Sequence, residues 1–261
     1  METRKPIVAD QFYPGQHDLC VSQINECLEQ RTLGETLPET IVAGIVPHAG
    51  WTFSGSLAAL VFSAIQQQHK KVNTFVIFGA VHSYFGQGPA VFDKGNWDSP
   101  LGQIFVDEDL AQAVVKSGAA VSDLSAHRYE HSIEVQIPFI QHLFAGARIL
   151  PILVPPNEGA ISLGEAVGDI VKGSPGKKIV CIGSTDLTHY GPNYGFEPMG
   201  TGQDGINWAS QVNDKLFIDA AMKLDAAAIL KNCLENHNAC GGGAAAARRV
   251  RAAPGSTPGR D

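Results

Sequence analysis

The chain has 261 residues, 44% hydrophobic and 17% charged, a composition that suits a folded globular protein and excludes a disordered or fibrous one. Its formal net charge of -7 is spread without a run of lysines or arginines, which argues against nucleic acid or an anionic membrane as partner. No stretch approaches the ~20 apolar residues that span a bilayer, and METRKPIVADQFYPG lacks the apolar centre of a signal peptide, so a cytoplasmic location is expected.

In chain order, β-branched runs at 41–46, 75–79, 149–154 and 179–183 lack polar alternation, and so predict strands buried on both faces. Between the first two, residues 55–71 carry Leu57, Leu60, Val61, Ala64 and Ile65 at helical spacing, which makes a strand–helix–strand unit. DKGNWDSPLG at 93–102 is turn-rich and reads as a loop or hairpin edge. Asp107, Glu108 and Asp109 suit the amino end of a helix running to Lys116, with Gly118 as its stop. Further helices are predicted over 161–172 and 207–222. The fold class expected is α/β, a central mixed sheet flanked by helices, in one domain over 1–250. Residues 251–261, rich in Pro, Gly, Ser and Thr, are expected to form a disordered tail.

Polar residues recur just past the predicted strand ends. His48 follows in VPHAGW, His82 in GAVHSY, and Asp186 and His189 in GSTDLTHYG. Ligands of α/β sheets bind in the crevice outside those ends, so these side chains are expected to converge. Imidazoles with a carboxylate are donors for divalent Zn, Fe, Cu or Mn. A single histidine in such a loop can equally be a structural imidazole, and the repetition at equivalent places favours the site.

Five cysteines without a CxxC pair argue against a disulfide framework and read as reduced thiols. Cys20, Cys27, Cys181 and Cys233 fall in helix- or strand-like contexts and are assigned to the core. Cys240, in NACGGGAAAARRV, precedes a helix, and there it is either a thiolate, nucleophile or soft metal ligand, or a small residue at a tight turn. In HRYEHSIEVQIP, His131 and Glu134 are placed on one face of a short helix, as a proton shuttle, a support for the site, or a solvated capping cluster beside Glu130. His17, His69 and His142 are expected at the surface, with His127 and His237 unassigned. Tyr13, Trp51 and Phe53, with Tyr84, Phe85 and Tyr190, are candidate walls of a ligand pocket. No dinucleotide fingerprint or Walker motif is present.

PIVADQFYP, VPHAGWTFSG, GAVHSY, WDSPLG, EHSIEVQIPF, GSTDLTHYG and the late Cys240-Gly241-Gly242, in that order, resemble the Memo family (mediator of ErbB2-driven cell motility and its prokaryotic relatives). That family is similar to the catalytic subunits of class III extradiol dioxygenases, which implies a dioxygenase-like α/β fold. The resemblance implies His48, His82 and Cys240 as ligands of an iron or copper ion, Asp186 and His189 lining the same pocket, and His131 in its surroundings. The expected function is a metal-binding oxidoreductase acting on a small molecule, with His189, assisted by Asp186, moving protons. Two other readings stay open: a non-catalytic module binding a peptide in the same pocket, and a metal-free cysteine hydrolase with Cys240 as nucleophile.

Overall fold

A computed structural model describes residues 2–34, 36–84 and 86–247; Phe85 and the expected tail lie outside them. In chain order come β1 (Thr3–Arg4), α1 (His17–Glu29), β2 (Ala43–Val46), α2 (Trp51–Gln68), β3 (Thr74–Gly79) and β4 (Ala90–Val91). Next are β5 (Asn96–Ser99), β6 (Gly102–Phe105), α3 (Glu108–Lys116), β7 (Val121–Ser122), α4 (Ile137–Leu143), β8 (Arg148–Leu153) and α5 (Gly159–Lys172). The last are β9 (Ile179–Ser184), α6 (Gln203–Trp208), α7 (Asp214–Met222), α8 (Ala226–Asn236) and α9 (Gly242–Ala247).

The central sheet has six strands in the order β2-β9-β3-β8-β4-β7, and all its pairs are parallel except β4 with β8. Every residue of β3 and β9 is buried, as their unbroken apolar character predicts. The register shows how both faces are covered. Gly44 pairs with Ile182 and lies against Val61 of α2, whereas Gly183, one position out of phase, lies against Ala244 and Ala245 of α9. Successive residues of a strand point to opposite faces, so α2 and α9 cover opposite sides. A smaller sheet, β1-β5-β6, contains the hairpin expected around WDSPLG.

α3 begins as predicted: Asp107 caps it by accepting from the Leu110 N–H at 3.2 Å. Two helix expectations need correction. α2 starts four residues early, at Trp51, because Trp51 packs inward on Phe139 at 4.5 Å. The helix expected over 207–222 is interrupted by a π-helical turn at Ala209–Asn213 between α6 and α7. His69 is a third correction, being buried and hydrogen-bonded to the Ile41 backbone rather than on the surface. No helix among the described residues is long and apolar enough to cross a membrane.

Candidate metal centre

β2, β9 and β3 are consecutive neighbours in the sheet and run in parallel, so their carboxyl ends lie side by side. The loops leaving them carry His48, Asp186 with His189, and His82. Asp186 ties the first two together, since its Oδ1 accepts the backbone N–H groups of His48 and Ala49 at 2.7 and 3.2 Å. Its Oδ2 stands 3.8 Å from His48 Nε2 and 4.0 Å from His189 Nε2.

Cys240 arrives from the opposite end of the sequence. Its backbone N–H donates to the Asp186 carbonyl at 3.3 Å, and its sulfur accepts the Asp186 N–H at 3.4 Å. The glycines after it allow this approach: a Cβ on Gly241 would collide with the Ser184 carbonyl oxygen, and one on Gly243 with that of Val154. The Cys240 sulfur thereby sits 3.2 Å from His48 Nε2.

The tautomers of both strand-end histidines follow from their partners. Ser184 Oγ donates its one proton to the Ser132 carbonyl at 2.7 Å, so the 3.0 Å contact with His48 Nδ1 is an N–H donating to the hydroxyl. His82 Nδ1 donates to the Glu130 carboxylate at 2.9 Å. Nε2 is therefore the free position on each ring, and that of His48 lies 3.2 Å from the Cys240 sulfur.

Glu130 is fully buried, and besides His82 Nδ1 it accepts the backbone N–H groups of His82, His131 and Ser132. Burial alone would raise its pKa, but the His82 hydrogen bond and charge with these N–H groups hold it at about 2. Burial pulls His82 down, yet the sulfur and Glu130 outweigh it and push it up to about 10. Burial opposes ionisation of Cys240 as well, and the two imidazoles overcome it and bring the thiol down to about 6. The protein without an ion thus favours a thiolate paired with imidazolium, whose Nε2 protons a cation can replace.

His131 joins the group by a route other than the one expected. It precedes a 3-10 turn at Glu134–Gln136, and Glu134 leaves the site to bind Arg4 at 2.6 Å and the Tyr13 hydroxyl at 2.9 Å. The carboxylate serving the histidines is Glu130, one position before His131.

A cavity of about 440 Å³ opens beside Cys240, lined by His189, Tyr194, Gly195, Phe196, Cys233, His237 and Ala239. Its aromatic wall comes from the loop after β9. Tyr13 and Trp51 are packed in the core, Phe53 is 84% exposed on α2, and none of the three lines this cavity. Cys20, Cys27, Cys181 and Cys233 are buried, as assigned, with thiols pushed up by loss of hydration. His127 is wholly buried and His237 is a left-handed residue capping α8.

The sequence pattern of the Memo-like protein family matches residues 4–252. The chain belongs to the Memo family. It is 39% identical over 251 residues to a MEMO1 family protein of Thermococcus onnurineus, covering 92% of this chain and 84% of that one. It is 42% identical over 204 residues to a MEMO1 family protein of Pyrococcus abyssi, covering 75% of this chain and 68% of the other. A MEMO1 family protein of Methanosarcina barkeri is 35% identical over 244 residues, or 92% and 83% of the two chains.

Proposed function

We propose that His48, His82 and Cys240 hold a redox-active iron or copper ion, and that this Memo family member is an oxidoreductase acting on a small molecule in the adjoining cavity. The observation that carries this reading is the arrangement of two neighbouring imidazoles, each with Nδ1 held by a buried partner, the first of them 3.2 Å from a sulfur. Imidazole ligands characteristically use one nitrogen for the metal and donate the other N–H to a carboxylate, carbonyl or hydroxyl that fixes the ring. Two nitrogens and a thiolate suit Cu(I) and iron better than a hard cation such as Mg²⁺. The donor chemistry therefore fits the group that the family resemblance implies.

When bound, such an ion supplies one-electron chemistry and polarises a ligated small molecule. The protein's own part is binding and proton handling. Tyr194 and Phe196 offer aromatic edges to an apolar part of the ligand. His189, with its side chain 38% exposed and Nε2 4.0 Å from Asp186, is placed to exchange a proton with a ligand entering from the cavity. Asp186 anchors the His48 loop and stands beside both rings.

A second reading rests on the same 3.2 Å contact. Cys240 beside an imidazole whose other nitrogen is held by Ser184 is also the arrangement of a cysteine nucleophile with its base, the signature of a metal-free hydrolase. Metal analysis of anaerobically purified protein loaded with Fe(II) or Cu(I), alongside His48→Ala, His82→Ala and Cys240→Ser, separates the two. Near-stoichiometric metal that disappears in all three variants supports the metal centre. No metal in any of them, with iodoacetamide modification of Cys240 indifferent to chelator across pH, favours the hydrolase.

A further inference from the structure

The thiolate reading leaves one imidazole at the centre without a task. The rings of His48, His82 and His131 form a triangle with centroid separations of 5.3, 5.5 and 4.6 Å. One nitrogen from each lies within 4.8 Å of the others, and a second donor group, His48 with Asp186 and Cys240, meets the same criterion. His48 is common to both groups and is 1% exposed, so it sits at the floor of the centre.

His131 is held at the centre by its backbone and by ring packing. Its backbone N–H donates to the same Glu130 oxygen that binds the His82 ring, so one buried carboxylate holds the His82 imidazole and the His131 backbone together. Its ring stacks on His82 at 20° between planes and meets the edge of Phe12 at 4.9 Å. The nearest carboxylate oxygen to the His131 Nδ1 is that of Glu130 at 3.8 Å, beyond hydrogen-bond reach. The His48 Nδ1 is held by Ser184 and the His82 Nδ1 by Glu130, whereas the His131 Nδ1 is not hydrogen-bonded to Glu130.

We propose that His131 is a third imidazole ligand, giving the centre two overlapping donor sets built on His48 and His82. Cys240 completes a sulfur-containing set suited to soft ions, and His131 completes an all-nitrogen set suited to borderline divalent ions such as Co²⁺, Zn²⁺ and Cu²⁺. Tetrahedral coordination with bonds of ~2.0–2.1 Å draws ligand nitrogens to about 3.3 Å from one another, so the trio closes by small side-chain rotations. Neutral nitrogen donors and a thiolate differ in both charge and softness, so the two sets sort ions without a second pocket. This proposal rests on the metal-centre reading, and only its all-nitrogen set is independent of Cys240.

Cobalt(II) tests it, because sulfur ligation adds a near-ultraviolet charge-transfer band that nitrogen ligation does not. Wild type, Cys240→Ser, His131→Phe and the double variant are titrated with Co²⁺, with phenylalanine chosen to keep the ring stack on His82 and circular dichroism checking the fold. The proposal expects Cys240→Ser to bind one Co²⁺ without the sulfur band, and the double variant to bind at least about tenfold more weakly. It expects His131→Phe alone to keep the sulfur band. A double variant that binds as tightly as Cys240→Ser overturns it, as does loss of all binding in Cys240→Ser while the wild type shows the band. Wild-type binding without the band, abolished by His131→Phe, would support the nitrogen set and contradict the thiolate reading. A wild type that binds no cobalt overturns both.

Discussion

The Nε2 of His48 lies 3.2 Å from the Sγ of Cys240, although 192 positions separate the two residues in the chain. That contact exists because β2 and β9 are adjacent parallel strands, and because the glycines after Cys240 let the chain pass against the end of β9. The site is thus a property of the sheet's strand order.

Glu130 is the buried support of the histidine pair. Glu130→Ala would strip an acceptor from His82 Nδ1 and from the N–H groups of His82, His131 and Ser132. Breaking a buried charged pair of this kind costs about 3–5 kcal/mol of stability, and losing the partner of a ligand costs ~10–100-fold in metal affinity. Glu130→Gln keeps the shape and one acceptor oxygen, and should lose less of both. Urea unfolding with chelator competition on the two variants checks the order; equal affinity in wild type and Glu130→Ala would remove Glu130 from the site.

Gly241→Ala should damage the site without touching a donor. The added methyl meets the Ser184 carbonyl and Thr185, so Cys240 or the end of β9 must shift. A forced shift in a packed core costs about 1–3 kcal/mol. Metal content should fall along with the thermal midpoint, and unchanged metal in a destabilised protein would show that Cys240 is placed by other contacts.

The π-helical turn before α7 links the two loops of the cavity. Asn213 Nδ2 donates to Thr188 Oγ1 and to the Asn236 carbonyl, both at 3.0 Å, while the next residue, Asp214, accepts the Thr188 N–H at 3.0 Å. Thr188 adjoins His189, and Asn236 leads into Cys240. Asn213→Ala should cost about 1–3 kcal/mol and raise the rate at which iodoacetamide reaches Cys240. An unaltered alkylation rate would make the turn a matter of packing only.

His127 sets a pH dependence away from the site. Burial, helped by the Arg4 cation, holds its pKa down at about 3, against about 6.5 in an unfolded chain. Below pH ~6.5 the unfolded chain takes up a proton that the native state refuses, so stability present above that pH is lost as pH falls towards ~3, by up to about 1.4 kcal/mol per unit. His127→Leu should flatten this slope between pH 6.5 and 4.5 relative to wild type. Parallel slopes in denaturant titrations of the two proteins would show that His127 is not the group responsible.

The strand-end residues are legible because strand periodicity and polarity are local: His48, His82, Asp186 and His189 each stand in the loop that follows an apolar strand, although β2, at the sheet edge, is half-buried rather than buried on both faces. The strand order that makes three of those loops neighbours is a tertiary fact. Helical spacing pairs His131 with Glu134 and so gives Glu130 no distinct part, whereas the backbone there is loop and 3-10 turn and Glu134 is drawn to Arg4 and Tyr13. Tyr13, Trp51 and Phe53 show that nearness in sequence to a histidine does not fix which way an aromatic ring faces. Tyr194, Phe196 and His237 line the cavity from irregular loops that carry no period to read.

X-ray absorption at the metal edge of copper-loaded protein tests the central claim most directly. The account predicts one sulfur at about 2.3 Å together with imidazole nitrogens, and loss of the sulfur shell in Cys240→Ser. A first shell of nitrogen and oxygen alone in the wild type, or a sulfur shell that survives Cys240→Ser, would contradict it.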